Sequence, residues 1–155
     1  MSPVNCSEDE VTRMHDDAKK YLVQRWEPRP GYKPLILTHG DGVYFWDAKG
    51  KKYLDLMSQL YNVHIGLNNR EVIEAAKKQL DEMAYASPSY SNIPMIQLAK
   101  KLAQITPGDL CKTFFGNSGT EANEVAIKLA QLYRGSSKII SYWDAYHGST
   151  YAMVS

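Results

Sequence analysis

The chain has 155 residues, and its 18 Lys and Arg nearly balance 17 Asp and Glu, for a formal charge of +1. That balance points to neither nucleic acid nor an anionic membrane surface, and 44% hydrophobic with 23% charged residues describes a soluble globular domain. No apolar run reaches spanning length, the N-terminus lacks a secretory-leader core, and Cys6 and Cys111 stand alone, so the cytoplasm is the default compartment.

Ser7 followed by Glu10 matches a capping box, and Val11, Met14, Ala18, Tyr21, Leu22 and Trp26 recur at helical spacing. The pattern predicts a helix over 8–25, stopped by Pro28-Arg29-Pro30-Gly31. Residues 35–38, 43–47 and 52–56 are short apolar and aromatic runs. Turns at 39–42 and 48–51 separate them, which predicts a small antiparallel meander. Its aromatic residues are expected to pack across strands. Residues 57–69, with Tyr61, Asn62, His64 and Gly66, form a polar-aromatic loop that suits either a site or a solvated connection.

Val72, Ile73, Ala76, Leu80 and Met83 predict a helix over 70–83 with one apolar face. Residues 84–92 read as loop. Pro94 suits a first helical turn, and Met95, Leu98, Ala99, Leu102 and Ile105 carry the next stripe up to Pro107-Gly108-Asp109.

Residues 111–115 are short, aromatic and bounded by turn residues, which predicts a strand with Cys111 as a small buried residue. Gly116 to Gly119 then make a sharp turn, and Ala122, Val125, Ala126, Leu129, Ala130 and Tyr133 mark a helix over 120–134. The free N–H groups and partial positive charge of that helix start suit a phosphate, with an ordinary strand-to-helix cap as the alternative. Residues 138–142 predict a second strand. Strand, helix and strand would make a βαβ unit with a parallel sheet, and residues 143–148 would follow the C-terminal end of its second strand. Ligands bind at that edge of such sheets, so both special stretches converge on one site. There is no internal repeat, phosphate loop of the Gly-Lys-Ser/Thr type, metal-ligand spacing among the four histidines, or serine elbow.

Asn117-Ser118-Gly119-Thr120-Glu121-Ala122-Asn123-Glu124, Lys128-Leu129-Ala130, Gly135 and Tyr146-His147-Gly148-Ser149-Thr150 together resemble the class III aminotransferases. These are fold type I enzymes dependent on pyridoxal 5′-phosphate (PLP). Asp41-Gly42-Val43-Tyr44 and Tyr53-Leu54-Asp55-Leu56 look like the family's N-terminal meander, and the resemblance covers nearly the whole chain. It implies an α/β fold: an N-terminal small-domain segment over 1–66, then the start of the large domain's mainly parallel sheet over 67–155. It also implies transfer of an amino group between an amine or ω-amino acid and an oxo acid such as pyruvate. An aminomutase or decarboxylase of the same fold, or a non-catalytic chain that binds only a phosphate ligand, would share these residues.

By that resemblance Ser118, Gly119 and Thr120 would hold the PLP phosphate, and Tyr146 would stack on the ring. His147 and Gly148 would line its edge, and Glu124 would sit behind them. Leu60 and Tyr61 would border the substrate pocket. There the chain departs from its relatives: Gln59 stands where glycine is usual, and Asn62 and His64 are atypical. The Schiff-base lysine, the aspartate that pairs with the pyridine nitrogen and the carboxylate-binding arginine are expected beyond Ser155. A homodimer is implied, with 61–69 and 87–92 near the subunit boundary. Amines, amino acids and oxo acids are the implied small-molecule partners, and no metal, nucleic acid or membrane is implied.

Overall fold

The computed structural model describes residues 4–23, 31, 33–151 and 153, which fall in two compact units, Met1–Tyr85 and Ala86–Ser155. The first opens with α1, Glu8–Tyr21, started by the expected capping box. Glu10 Nα–H donates to Ser7 Oγ at 3.3 Å and Ser7 N–H donates to Glu10 Oε2 at 2.8 Å. That Ser7 N–H and the Ser7 hydroxyl, which also donates to Glu10 Oε2 at 2.8 Å, hold the Glu10 carboxyl below its usual pKa. The helix stops short of residue 25, because Leu22 turns to extended backbone at φ −109° and ψ 134°. Apolar spacing persists through Leu22 but carries no stop signal there. Trp26 and Pro28-Arg29-Pro30 lie outside the described residues.

Next comes the meander: β1 (Leu37–Asp41), β2 (Tyr44–Asp47) and β3 (Lys52–Leu54), antiparallel in that order. Phe45 and Tyr53 are register partners and their rings stack at 5.2 Å, as expected of cross-strand packing. The first turn differs from the expected 39–42. His39 and Gly40 belong to β1, opposite Trp46 and Phe45, and the chain reverses at Gly42-Val43. His39 packs its ring against Trp46 at 5.0 Å, which favours strand over turn. Gly42, at φ +57°, supplies the left-handed backbone that a tight hairpin needs.

Asp47, buried, builds the second turn. Its Oδ1 accepts the Lys49 and Lys51 N–H groups at 2.9 Å each, and its Oδ2 accepts the Tyr53 hydroxyl at 2.8 Å. Burial would raise its pKa, but the Lys51 N–H, the Tyr53 hydroxyl, the Lys49 N–H and the Lys51 charge outweigh burial and hold it low. Beyond β3, α2 (Ser58–Tyr61) is a single turn with left-handed backbone. Gly42 and Leu67 then exchange backbone hydrogen bonds, at 3.0 and 2.8 Å, which ties the end of this segment to the hairpin tip. Helix α3 (Arg70–Glu82) follows, capped by Asn69.

The second unit holds α4 (Ile93–Ile105), capped by Asn92 with Pro94 in its first turn, and α5 (Gly119–Arg134). Helix α5 closes on Gly135 at φ +62°. The expected strands at 111–115 and 138–142 are not formed, nor is their parallel pairing; among the described residues the meander is the only sheet. A strand exists through its ladder, and an apolar run reports a tendency to burial without naming a partner. With no ladder there, Cys111 is exposed rather than buried. The apolar stripe of α5 is likewise open: Leu129 and Tyr133 are exposed.

Candidate functional site

Helix α5 starts abruptly. Ser118 has extended backbone, and its Oγ accepts the Glu121 N–H at 3.2 Å. The first helical hydrogen bond runs from Ala122 N–H to Ser118 C=O at 3.1 Å. The N–H groups of Gly119 and Thr120 therefore have no partner within the helix, and they sit at the positive end of its dipole. A Cβ added at Gly119 would meet no protein atom within 4 Å, so open space flanks this end. Glu121 turns its carboxylate back onto the preceding turn, where Oε2 accepts the Asn117 N–H at 2.5 Å.

One face of α5 holds a loop against this end. Thr120 Oγ1 accepts the Ser149 N–H at 3.3 Å, Asn123 Nδ2 donates to the His147 carbonyl at 2.7 Å, and Thr150 Oγ1 donates to Glu124 Oε1 at 2.5 Å. Positions 123 and 124 lie one turn beyond 120 on the same face, so three side chains lace the loop at His147, Ser149 and Thr150. Gly148 makes the fit possible. It is buried at φ +152°, and a Cβ there would lie 2.8 Å from Met153 Cβ and from both Cγ2 and Oγ1 of Thr120. Next to it, His147 Nε2 is buried with no hydrogen-bond partner among the described residues. The Tyr146 hydroxyl lies 2.8 Å from Ser149 Oγ, while its side chain is 64% exposed.

The structure thus brings Thr120, Glu124, His147 and Gly148 together, with Ser118 and Gly119 in the same turn and Tyr146 next along the loop. Unpaired N–H groups at a helix start, with open space beside Gly119, suit an anionic group. Leu60 and Tyr61 belong to the other compact unit, and both are exposed. Sequence reasoning did not assign roles to Asn123, Ser149 and Thr150. Helical spacing from Thr120 marks Asn123, but nothing in the sequence names the loop atoms that it meets. Among the described residues no cluster of His, Cys, Asp and Glu could hold a metal ion, and no helix is long and apolar enough to cross a membrane.

A family model described as aminotransferase class-III matches residues 27–155, and the chain belongs to that family. Its fold is that of the fold type I PLP-dependent transferases. Taurine:2-oxoglutarate aminotransferase from Bifidobacterium kashiwanohense, solved in complex with PLP and glutamate, superposes with a TM-score of 0.84 at 35% identity; the match covers 92% of this chain and 32% of that one. An (S)-enantioselective omega-transaminase from Thermomicrobium roseum matches with a TM-score of 0.79 at 37% identity, over 93% of this chain and 34% of that one. Among curated relatives, isoleucine 2-epimerase from Lentilactobacillus buchneri is 35% identical over 92% of this chain and 32% of its own length. Adenosylmethionine-8-amino-7-oxononanoate aminotransferase from Aquifex aeolicus is 43% identical, over 78% and 28%. The chain spans about a third of the length of the relatives it matches.

Proposed function

We propose that the protein carrying this chain binds PLP and moves an amino group between an amine or ω-amino acid and an oxo acid such as pyruvate. The observation that carries this reading is the start of α5, where unpaired N–H groups face open space beside a loop laced to the same helix face. In this reading Ser118, Gly119 and Thr120 bind the phosphate, and Tyr146 packs on the face of the ring. His147 and Gly148 border its edge, and Glu124 fixes the loop through Thr150. Leu60 and Tyr61 meet the substrate. PLP, when bound, supplies the electron sink that weakens bonds at the substrate carbon bearing nitrogen. The residues of this chain bind and orient; the reactive lysine, the aspartate for the pyridine nitrogen and the carboxylate-binding arginine are assigned to sequence beyond these residues.

We place the small-domain segment at 1–66 and the start of the large domain at 67–155 on the family resemblance; the compact units divide later, between Tyr85 and Ala86. We also assign a homodimer in the cytoplasm, a compartment favoured by two cysteines that form no disulfide.

The test uses the natural-length polypeptide, titrated with PLP by absorbance and assayed with an amine donor and pyruvate. Thr120→Ala removes one hydrogen bond to a charged group, about 1.5–3 kcal/mol, and lowers PLP affinity about tenfold or more. Gly119→Val fills the space beside the helix end and does the same. Unchanged affinity in both variants removes these residues from the site. Interconversion of amino-acid enantiomers without oxo-acid formation would replace transfer with epimerisation, and a monomer by light scattering at micromolar concentration would refute the dimer.

A further inference from the structure

The segment between the meander and α3 is built on backbone that most residues avoid. Ser58, Gln59, Leu60 and Tyr61 have φ of 47°, 48°, 57° and 64°, four consecutive left-handed residues with no glycine among them. Each is disfavoured by the approach of its Cβ to a backbone carbonyl, and such a run persists only where neighbouring groups over-determine it. Asp55 does so from one side. Its Oδ1 accepts the Met57 N–H at 3.0 Å, and its Oδ2 accepts both the Gln59 backbone N–H at 3.1 Å and Gln59 Nε2 at 3.0 Å. Asn62 closes the other side, its Nδ2 donating to the carbonyls of Gln59 and Leu60 at 2.9 and 3.1 Å. Both ends are anchored to the hairpin tip, through Asp55 N–H to Val43 C=O at 2.9 Å and through the Gly42–Leu67 pair. The turn carries two exposed apolar side chains, Leu60 and Tyr61, on backbone fixed by those polar bonds, and the Tyr61 ring stacks with His64 at 6.5 Å.

We propose that Asp55 and Gln59 are positioning residues for the amino donor: together they lock the left-handed turn and so fix how Leu60 and Tyr61 meet a donor's apolar substituent. The proposal rests on the reading that Leu60 and Tyr61 border the substrate pocket. Glycine at position 59 would take this backbone freely and would leave the turn loose. Glutamine cannot take it freely, and its carboxamide returns a bond to Asp55 that glycine has no atoms to make. The lock exchanges an adaptable pocket wall for a rigid one, which narrows the range of donors.

The experiment uses the natural-length enzyme with pyruvate and two donors, β-alanine and 1-phenylethylamine, in the unaltered protein and in Asp55→Asn, Gln59→Gly and Tyr61→Ala. Amide hydrogen exchange at Met57 and Gln59 reports the lock independently of turnover. Asp55→Asn and Gln59→Gly are expected to speed exchange at these amides. They are also expected to shift the ratio of kcat/KM between the two donors about tenfold, the factor carried by one charge-assisted hydrogen bond, mainly through KM for the aryl amine. Faster exchange with an unchanged ratio, while Tyr61→Ala does shift it, overturns the positioning role and leaves the pocket in place. An unchanged ratio in all three variants, or no turnover of either donor by the unaltered enzyme, overturns the pocket reading and the proposal with it. Gln59→Gly relaxes the backbone, so it keeps the test meaningful if Asp55→Asn folds poorly.

Discussion

Replacing Gly148 with alanine separates a laced cofactor loop from an ordinary surface turn. The new Cβ would lie 2.8 Å from Met153 Cβ and from Cγ2 and Oγ1 of Thr120, and none of these is the far end of a flexible side chain. At φ +152° the backbone is also one that an L-residue adopts only under strain, roughly 1–3 kcal/mol. The loop can relieve the clash only by moving off α5, which sacrifices the Ser149–Thr120 and Asn123–His147 hydrogen bonds at about 0.5–1.5 kcal/mol each. Together these act against the closed loop by about 2–6 kcal/mol. PLP affinity of the natural-length protein, followed by absorbance, should fall at least about tenfold, since about 1.4 kcal/mol is one decade. The Ser149 amide should lose protection from hydrogen exchange in the same variant. Adding Thr120→Ser removes the clashing Cγ2 while keeping the hydroxyl, so it should recover part of the loss as a measurable coupling between neighbours. Unchanged affinity with a protected Ser149 amide would refute the assignment of this loop.

The buried Asp47 carboxylate ties stability to pH. Its folded pKa is depressed, so its contribution is complete above the unfolded value of about 3.9 and is lost as pH falls through the folded pKa. Asp47→Asn should cost about 1–3 kcal/mol at neutral pH and flatten the acid side of a plot of melting temperature against pH; an unaltered slope would exclude this carboxylate as the cause. Gly135→Ala places a side chain at φ +62° where no protein atom lies within 4 Å, so only backbone strain of about 1–2 kcal/mol should appear in thermal melts. A larger loss would mean that the end of α5 is packed more tightly than the structure has it.

Local chemistry was legible in the sequence wherever one residue decides its own neighbourhood. Ser7 with Glu10, Pro94 and Gly135 mark helix starts and stops through their own side chains or lack of one, and each does so in the structure. The glycine-serine turn before α5 was legible for the same reason. Long-range partners were not. Residues 111–115 and 138–142 carry strand-like composition, yet pairing depends on groups that no local pattern specifies. The first hairpin turn was misplaced because His39, Gly40, Asp41 and Gly42 are all turn-compatible, and ring packing on Trp46 decides among them. The left-handed run at 58–61 was invisible because Gln59 and Leu60 have no preference for it, and the Asp55 carboxylate that enforces it is an ordinary surface residue by composition.

The meander also bears on the order in which the chain folds. Its most widely separated register partners, Leu37 with Asp47 and Tyr44 with Leu54, are ten positions apart. The Ser149–Thr120 bond spans 29. Closing short loops costs less chain entropy, and isolated hairpins form in about 1–10 μs. The three strands and the Asp47 turn are thus expected to form early and locally, whereas the loop on α5 waits for a longer closure. The part of the chain assigned to ligand binding is then among the last to order, a placement that lets a ligand govern its final step.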